Sequence, residues 1–138
     1  MFLFLEIVLI SEFAWYIEAG SVHGLDEQRP ENIKIYNDLR SICKERGKKP
    51  KYRIIYVTPK KLLNGKLFNL LKNVHGKGKL DRIVVDEAHC CHDLGSENFR
   101  PDYGKLGILR DTFGGVPMMA CTATANNDYM RKITNILG

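Results

Sequence analysis

The chain has 138 residues, 44% of them hydrophobic and 27% charged, and a formal net charge of +5 at pH 7. This composition excludes disordered and fibrous classes and fits one soluble globular domain. The basic balance, with a pI near 9.0, favours an anionic partner such as nucleic acid without specifying one.

The N-terminal stretch MFLFLEIVLISEFAWYI superficially suggests a signal peptide or membrane span. It lacks a basic leading region and an A-x-A-like cleavage site, and it carries Glu6 and Glu12, with Glu18 directly after it. No membrane association is expected from it. It reads as a core element, or as a start that cuts into a longer protein. Residues 2–10 suit either a buried strand or the first turns of a helix, since period alone does not separate the two. Residues 20–30, GSVHGLDEQRP, read as a polar connector.

Residues 31–46 place Ile33, Tyr36, Leu39, Ile42 and Cys43 at spacings of three and four, with Glu31 near the start and Lys44 and Arg46 near the end. That pattern predicts an amphipathic helix whose charges complement its dipole. The basic stretch KERGKKPKYR at 44–53 reads either as a solvated loop or as a track for a phosphate backbone. Tyr52–Val57 predicts a strand, and Pro59 closes it. Leu62, Leu63, Leu67, Leu70, Leu71 and Val74 predict two helices interrupted at Asn64-Gly65. Residues 75–79 read as a loop and Leu80–Asp86 as a second strand.

Residues 90–104 show no sustained period and read as a functional loop. A short helix is expected over 105–112, ended by Gly114-Gly115. A third strand follows over 116–121 and a final helix over 126–137. Strands alternating with helices imply an α/β fold, an open parallel sheet with flanking helices. The four cysteines Cys43, Cys90, Cys91 and Cys121 lack C-x-x-C spacing, which points to a reducing compartment. His89-Cys90-Cys91-His92 cannot close a zinc tetrahedron from four consecutive residues without strain.

The apolar run Ile83-Val84-Val85 stops at two acids, Asp86 and Glu87. In open parallel sheets, ligands sit beyond the carboxyl ends of the strands. One acid placed there can hold a hydrated Mg²⁺ against phosphates, and its neighbour can orient water. The alternative is a solvated strand end bearing two surface acids.

The runs YVTP, VDEAHCC, FRPDYGKLGILR and ACTATAN, in that order, resemble the RecQ family of superfamily-2 DNA helicases, with a doubled cysteine like that of the eukaryotic branch. The resemblance covers residues 50–138 well and 1–49 poorly. It implies that residues 1–138 form a partial helicase ATP-binding domain, RecA-like and of the P-loop NTPase class. It further implies ATP and Mg²⁺ as cofactors, DNA as partner and a nuclear location. Asp86 would bind Mg²⁺ through water, Glu87 would be the catalytic carboxylate, and His89 would link the nucleotide site to the DNA side. Thr122, Ala123 and Thr124 would couple hydrolysis to movement; Thr122 or Thr124 also reads as a helix N-cap, and the two roles are compatible. Tyr56, Thr58 and Pro59 would contact single-stranded DNA, as would Phe99 and Arg100 in an aromatic-rich sensing loop.

Three positions depart from the family pattern: Lys60 stands where glutamate is usual, Leu94 where tryptophan is, and Ser96 where histidine is. A leucine cannot stack on a base as an indole does. A phosphate-gripping loop needs G-x-x-x-x-G-K-[S/T], yet the five Gly-Lys pairs, at 47, 65, 76, 78 and 104, are followed by neither Ser nor Thr. The expectation is therefore part of an ATP-dependent 3′-to-5′ DNA helicase of repair or recombination, with the remainder of the motor elsewhere and little activity in this chain alone. The alternatives are a catalytically inactive nucleic-acid-binding or regulatory remnant, and an interaction domain.

Overall fold

The structure, a computed structural model, describes residues 5–8, 19–22, 29–63, 65–91, 101–124 and 126–138. Among them, five strands form one open sheet: β1 (Leu5–Val8), β2 (Ala19–Val22), β3 (Ile54–Val57), β4 (Arg82–Val85) and β5 (Met118–Ala120), in the order β2-β3-β1-β4-β5. Between them run α1 (Pro30–Lys44), α2 (Pro59–Leu63), α3 (Lys66–Gly76), α4 (Pro101–Gly104) and α5 (Ile108–Thr112), and α6 (Asn127–Leu137) follows β5. The fold is α/β, as the alternation predicts.

Strand direction departs from a uniformly parallel ladder at one place. β2 pairs parallel with β3, and β4 with β5. β1 lies between β3 and β4 and runs antiparallel to both. β2, β3, β4 and β5 therefore share one direction and β1 alone opposes it. Only residues 9–18 separate β1 from β2, fewer than the dozen or more that a parallel crossover usually needs. An antiparallel β1 ends at the edge where β2 begins, so the short connection suffices.

β2 is also where the polar-connector reading of residues 20–30 fails, since Ala19–Val22 joins the sheet. The segment pairs through its backbone, for which Gly20 and Ser21 serve as well as larger residues.

The helices follow from their apolar spacing. α1 opens with Pro30 in its first turn and Glu31 beside it, and buries Ile35, Leu39 and Ile42. Proline there loses no intrahelical bond, and the acid suits the positive end of the dipole. Asp38 ties α1 to the chain beyond it: its carboxylate accepts the backbone N–H of Lys51 at 3.0 Å and of Tyr52 at 3.1 Å. Pro59 opens α2, in whose first turn it needs no N–H. α3 buries Leu67, Phe68, Leu71 and Val74 and packs on α1. It runs to Gly76, so the loop expected at 75–79 is shorter.

β4 explains the uninterrupted apolar run. Ile83 and Val85 are fully buried on one face, and Val84 is buried on the other. A strand covered on both faces has no polar alternation to show. Each such side chain contributes roughly 1.5–3 kcal/mol of burial free energy, and the same core takes in Leu39, Ile55, Val57 and Leu71.

α6 settles a capping question. Asn126 is its N-cap, with Oδ1 accepting the Tyr129 N–H at 2.8 Å. Neither Thr122 nor Thr124 opens the helix. At its other end, Arg110 donates from Nε to the Leu137 carbonyl at 3.2 Å and from Nη2 to the Gly138 carbonyl at 2.8 Å. These bonds cap carbonyls that a helix terminus leaves unpaired.

Candidate functional site

The shared direction of β3, β4 and β5 brings three sequence-distant segments to one edge of the sheet. Val57 and Val85 lie opposite Leu5 from either side of β1, and Val85 pairs with Ala120. The residues that follow, Thr58, Asp86 and Cys121, therefore emerge at one level. Thr58 and Asp86 are two strand spacings apart, about 10 Å.

Directly after β4 the chain turns sharply. Asp86 is exposed, and its Oδ1 accepts the Glu87 N–H at 2.8 Å. Glu87 takes φ = 50°, which no other non-glycine residue among those described shares in being positive. A left-handed conformation costs a side chain about 1 kcal/mol or more. The turn then runs into a 3₁₀ segment, Ala88–Cys91, with Cys90 N–H bonded to the Glu87 carbonyl at 2.9 Å. Ala88 is fully buried, and Cys90 and Cys91 are buried as small apolar side chains.

The left-handed turn brings Glu87 back toward His89. His89 Nδ1 lies 3.3 Å from Glu87 Oε2 and 3.0 Å from Thr122 Oγ1. A carboxylate only accepts, so a proton on Nδ1 suits both contacts in the neutral ring. Thr122 Oγ1 also accepts the Thr124 N–H at 3.3 Å and lies 3.4 Å from Thr124 Oγ1. Backbone bonds hold the two segments together: Cys121 N–H donates to the Val85 carbonyl at 2.8 Å, and Ala88 N–H donates to the Cys121 carbonyl at 2.9 Å. The chain Glu87–His89–Thr122–Thr124 is thus continuous, on a frame of two backbone bonds.

Of the residues singled out from the sequence, Asp86, Glu87, His89, Thr122, Ala123 and Thr124 meet at this edge. Tyr56 and Thr58 are half-buried and Pro59 buried at the same edge, across β1. Thr58 Oγ1 accepts the Lys61 N–H at 3.3 Å, so its hydroxyl caps the turn into α2. Phe99 and Arg100, like Leu94 and Ser96, lie outside the described residues. Cys121 joins the frame through its backbone, and no side-chain pattern in the sequence signals such a role.

The acids suit a cation bound chiefly by its own ligand. Glu87 N–H anchors one Asp86 oxygen, and the other has no bonded partner among the described residues. That fits a single carboxylate holding hydrated Mg²⁺ whose remaining contacts are water and phosphate. No group of three or more His, Cys, Asp or Glu able to cage a metal occurs among the described residues. No helix among them is long and apolar enough to cross a membrane.

A family model described as DEAD/DEAH box helicase matches residues 18–133. The chain is 48% identical over 86 residues to "ATP-dependent DNA helicase hus2/rqh1" of Schizosaccharomyces pombe, covering 62% of this chain and 6% of that protein. It is 44% identical over 91 residues to "RecQ-like DNA helicase BLM" of Xenopus laevis, covering 65% of this chain and 7% of that protein. It is 41% identical over 92 residues to "ATP-dependent DNA helicase Q1" of Mus musculus, covering 66% of this chain and 14% of that protein. The chain thus spans a small fraction of each of these curated relatives.

Proposed function

The chain belongs to the DEAD/DEAH box helicase family, and on that premise we propose that it forms the acid-bearing part of the nucleotide site of a RecQ-type, ATP-dependent DNA helicase. The observation that carries the reading is the Glu87–His89–Thr122 link, because it joins a water-orienting acid to a second strand end through one ring.

In this reading Asp86 would hold hydrated Mg²⁺, which would supply charge neutralisation for the transferred phosphoryl group. Glu87 accepts a proton from, and orients, the attacking water. His89 passes any shift of Glu87 to Thr122, whose hydroxyl exchanges partners with Thr124 at little cost. Thr58 and Tyr56, at the same edge, face single-stranded DNA, as do Phe99 and Arg100. Movement is 3′-to-5′, and the setting is nuclear DNA repair or recombination. No Gly-Lys pair in the chain continues into Ser or Thr, so the grip on the triphosphate comes from the remainder of the motor. The same lack supports a second reading, a nucleic-acid-binding remnant without hydrolysis.

Hydrolysis separates the two. Mg-ATP turnover by the 138-residue chain, with single-stranded DNA present, is expected to be near background. Genomic sequence in frame upstream is expected to encode G-K-[S/T], and joining it should raise turnover, which Glu87→Gln then abolishes. If the joined protein with Glu87 intact still fails to hydrolyse ATP, the motor reading falls and the remnant reading stands.

A further inference from the structure

A second charged feature lies at the opposite edge of the sheet. β3 and β4 run in one direction, so the chain entering them, 45–53 and 77–81, lies away from Asp86 and Glu87. α1 and α3 pack side by side and end at that far edge. Between them is an open groove of about 460 Å³, with Arg40 and Lys44 on the α1 wall and Lys72 and Lys77 on the α3 side. Leu70 and Asn73 contribute to its lining, and no acid does.

None of the four cations makes an ion pair with the described residues. Lys44 and Lys77 make no side-chain hydrogen bond with the described residues, and Arg40 donates one to Asn37 Oδ1 at 3.2 Å. Arg40 and Lys72 lie over the rings of Tyr36 and Phe68. Asp38 on α1 and Glu45 just after it have partners of their own: Asp38 accepts from two backbone N–H groups, and Glu45 pairs with Lys48 at 3.2 Å.

Basic side chains at helix C-termini often serve only to balance the dipole. Two helix ends carry roughly −0.5 charge each, about one negative charge against four positive side chains lining the groove. A surplus of about three positive charges remains after that compensation. At the same edge, Lys79 Nζ donates to the Lys48 carbonyl at 2.6 Å and to the Ile42 carbonyl at 3.4 Å. This ties the chain after α1 to the chain after α3.

We propose that the groove between α1 and α3 binds the phosphate backbone of a single nucleic-acid strand, at a site separate from the strand-end acids. Two cations on each side suit a repeating anion better than one isolated phosphate, and the gap between helices packed about 8–10 Å apart is too narrow to seat a duplex. The choice of nucleic acid among polyanions rests on the motor reading; the anion-binding groove itself does not.

The test is fluorescence anisotropy of a labelled oligothymidylate with the full 138-residue chain, measured across a salt series. Each phosphate neutralised on a single strand contributes about −0.7 to the slope of log K against log salt. Lys44→Gln with Lys77→Gln takes one exposed cation from each side without removing a described side-chain bond. It should make the slope shallower by about 1.4 and weaken binding about tenfold at low salt. Arg40→Gln with Lys72→Gln should do the same, with far-UV circular dichroism unchanged for both pairs.

Wild-type chain that binds no oligonucleotide at low salt overturns the proposal, as does an unchanged slope in both double variants. Polyglutamate that competes as well as the oligonucleotide also overturns it, showing a surface selective for charge alone. If Lys60→Gln flattens the slope and the groove variants do not, binding belongs to the strand-end edge. The motor reading then survives, since it stands on the ATP hydrolysis experiment.

Discussion

His89 Nδ1 lies 3.0 Å from Thr122 Oγ1, joining residues 33 positions apart across the edge of the sheet. The contact ties the chain after β4 to the chain after β5 by side chains, where the backbone already ties them twice. Thr122→Val keeps the side-chain shape and removes the hydroxyl, leaving Thr124 N–H without its acceptor. It should cost about 1 kcal/mol, the usual net worth of a partly buried hydrogen bond. Thr122→Ser, which keeps the oxygen, should cost under about half of that. Urea melts of the three proteins check this, with equal m-values required for the comparison.

The same geometry specifies a histidine tautomer. Glu87 Oε2 at 3.3 Å only accepts, so neutral His89 should carry its proton on Nδ1. Nitrogen-15 shifts of the ring at alkaline pH distinguish the tautomers. The Nδ1–H form should dominate in the wild type. Glu87→Ala removes the carboxylate, and a larger share of Nε2–H should then be seen.

The positive φ of Glu87, 50°, inverts the ordinary ranking of two substitutions. In most of a chain, alanine is more stable than glycine because glycine loses more entropy on folding. In the left-handed region the alanine side chain clashes with its own backbone and glycine's absent one does not. Glu87→Gly should therefore be more stable than Glu87→Ala, by about 1 kcal/mol. Thermal or urea unfolding of the pair decides it. The reverse order would mean that the turn after β4 does not hold this conformation.

Much of the frame is legible in the sequence because it rests on burial. Ile35, Leu39 and Ile42 mark α1 by their spacing, and Ile83-Val84-Val85 marks a strand covered on both faces. The acids at the end of that strand and the threonines after β5 follow once β4 and β5 run in parallel. What the residues do not carry is strand direction. The apolar run around β1 suits a central strand in either sense, and its antiparallel setting comes from the short link to β2. β2 itself escapes notice because Ala19-Gly20-Ser21 gives no hydrophobic pattern. The Glu87 turn is invisible for a similar reason, since glutamate has no preference for left-handed backbone. At the last helix the hydroxyls of Thr122 and Thr124 suit a cap as well as an amide does, but the cap is Asn126.

Gly107 tests how closely α6 approaches the segment before α5. A Cβ built at this position would stand 2.7 Å from the Ile136 carbonyl oxygen, and its φ of −51° is one any residue adopts. Strain is therefore absent from the backbone, and the clash is with main chain that cannot rotate away. Gly107→Ala should cost about 1–3 kcal/mol, the usual range for overpacking a tight contact. A melting temperature lowered by several degrees is the expected reading. An unchanged value would show that α6 shifts freely against this segment.

Cys91 makes the pH dependence of stability specific. It is 3% exposed, and burial, with the neighbouring Cys90 adding to it, pushes its thiol from the ordinary 9.0 up to about 12. Ionisation would place a charge among apolar side chains, so the folded chain keeps the proton where the unfolded chain has lost it. Between pH 9 and pH 12 the unfolded state then binds fewer protons than the folded state, and stability must fall as pH rises. The contribution is complete below about pH 9 and disappears through about pH 12, with a slope of up to about 1.4 kcal/mol per pH unit. Cys91→Ala removes the group and should flatten this alkaline decline relative to the wild type, which urea melts at pH 8.5 to 10.5 would show as converging stabilities. The same burial predicts slow modification of Cys91 by iodoacetamide at pH 8, because the thiolate is the reactive form and little of it exists there. Rapid alkylation of Cys91 in the native chain would contradict its buried place in the 3₁₀ segment, and with it the rigid seat that holds Glu87 and His89 together.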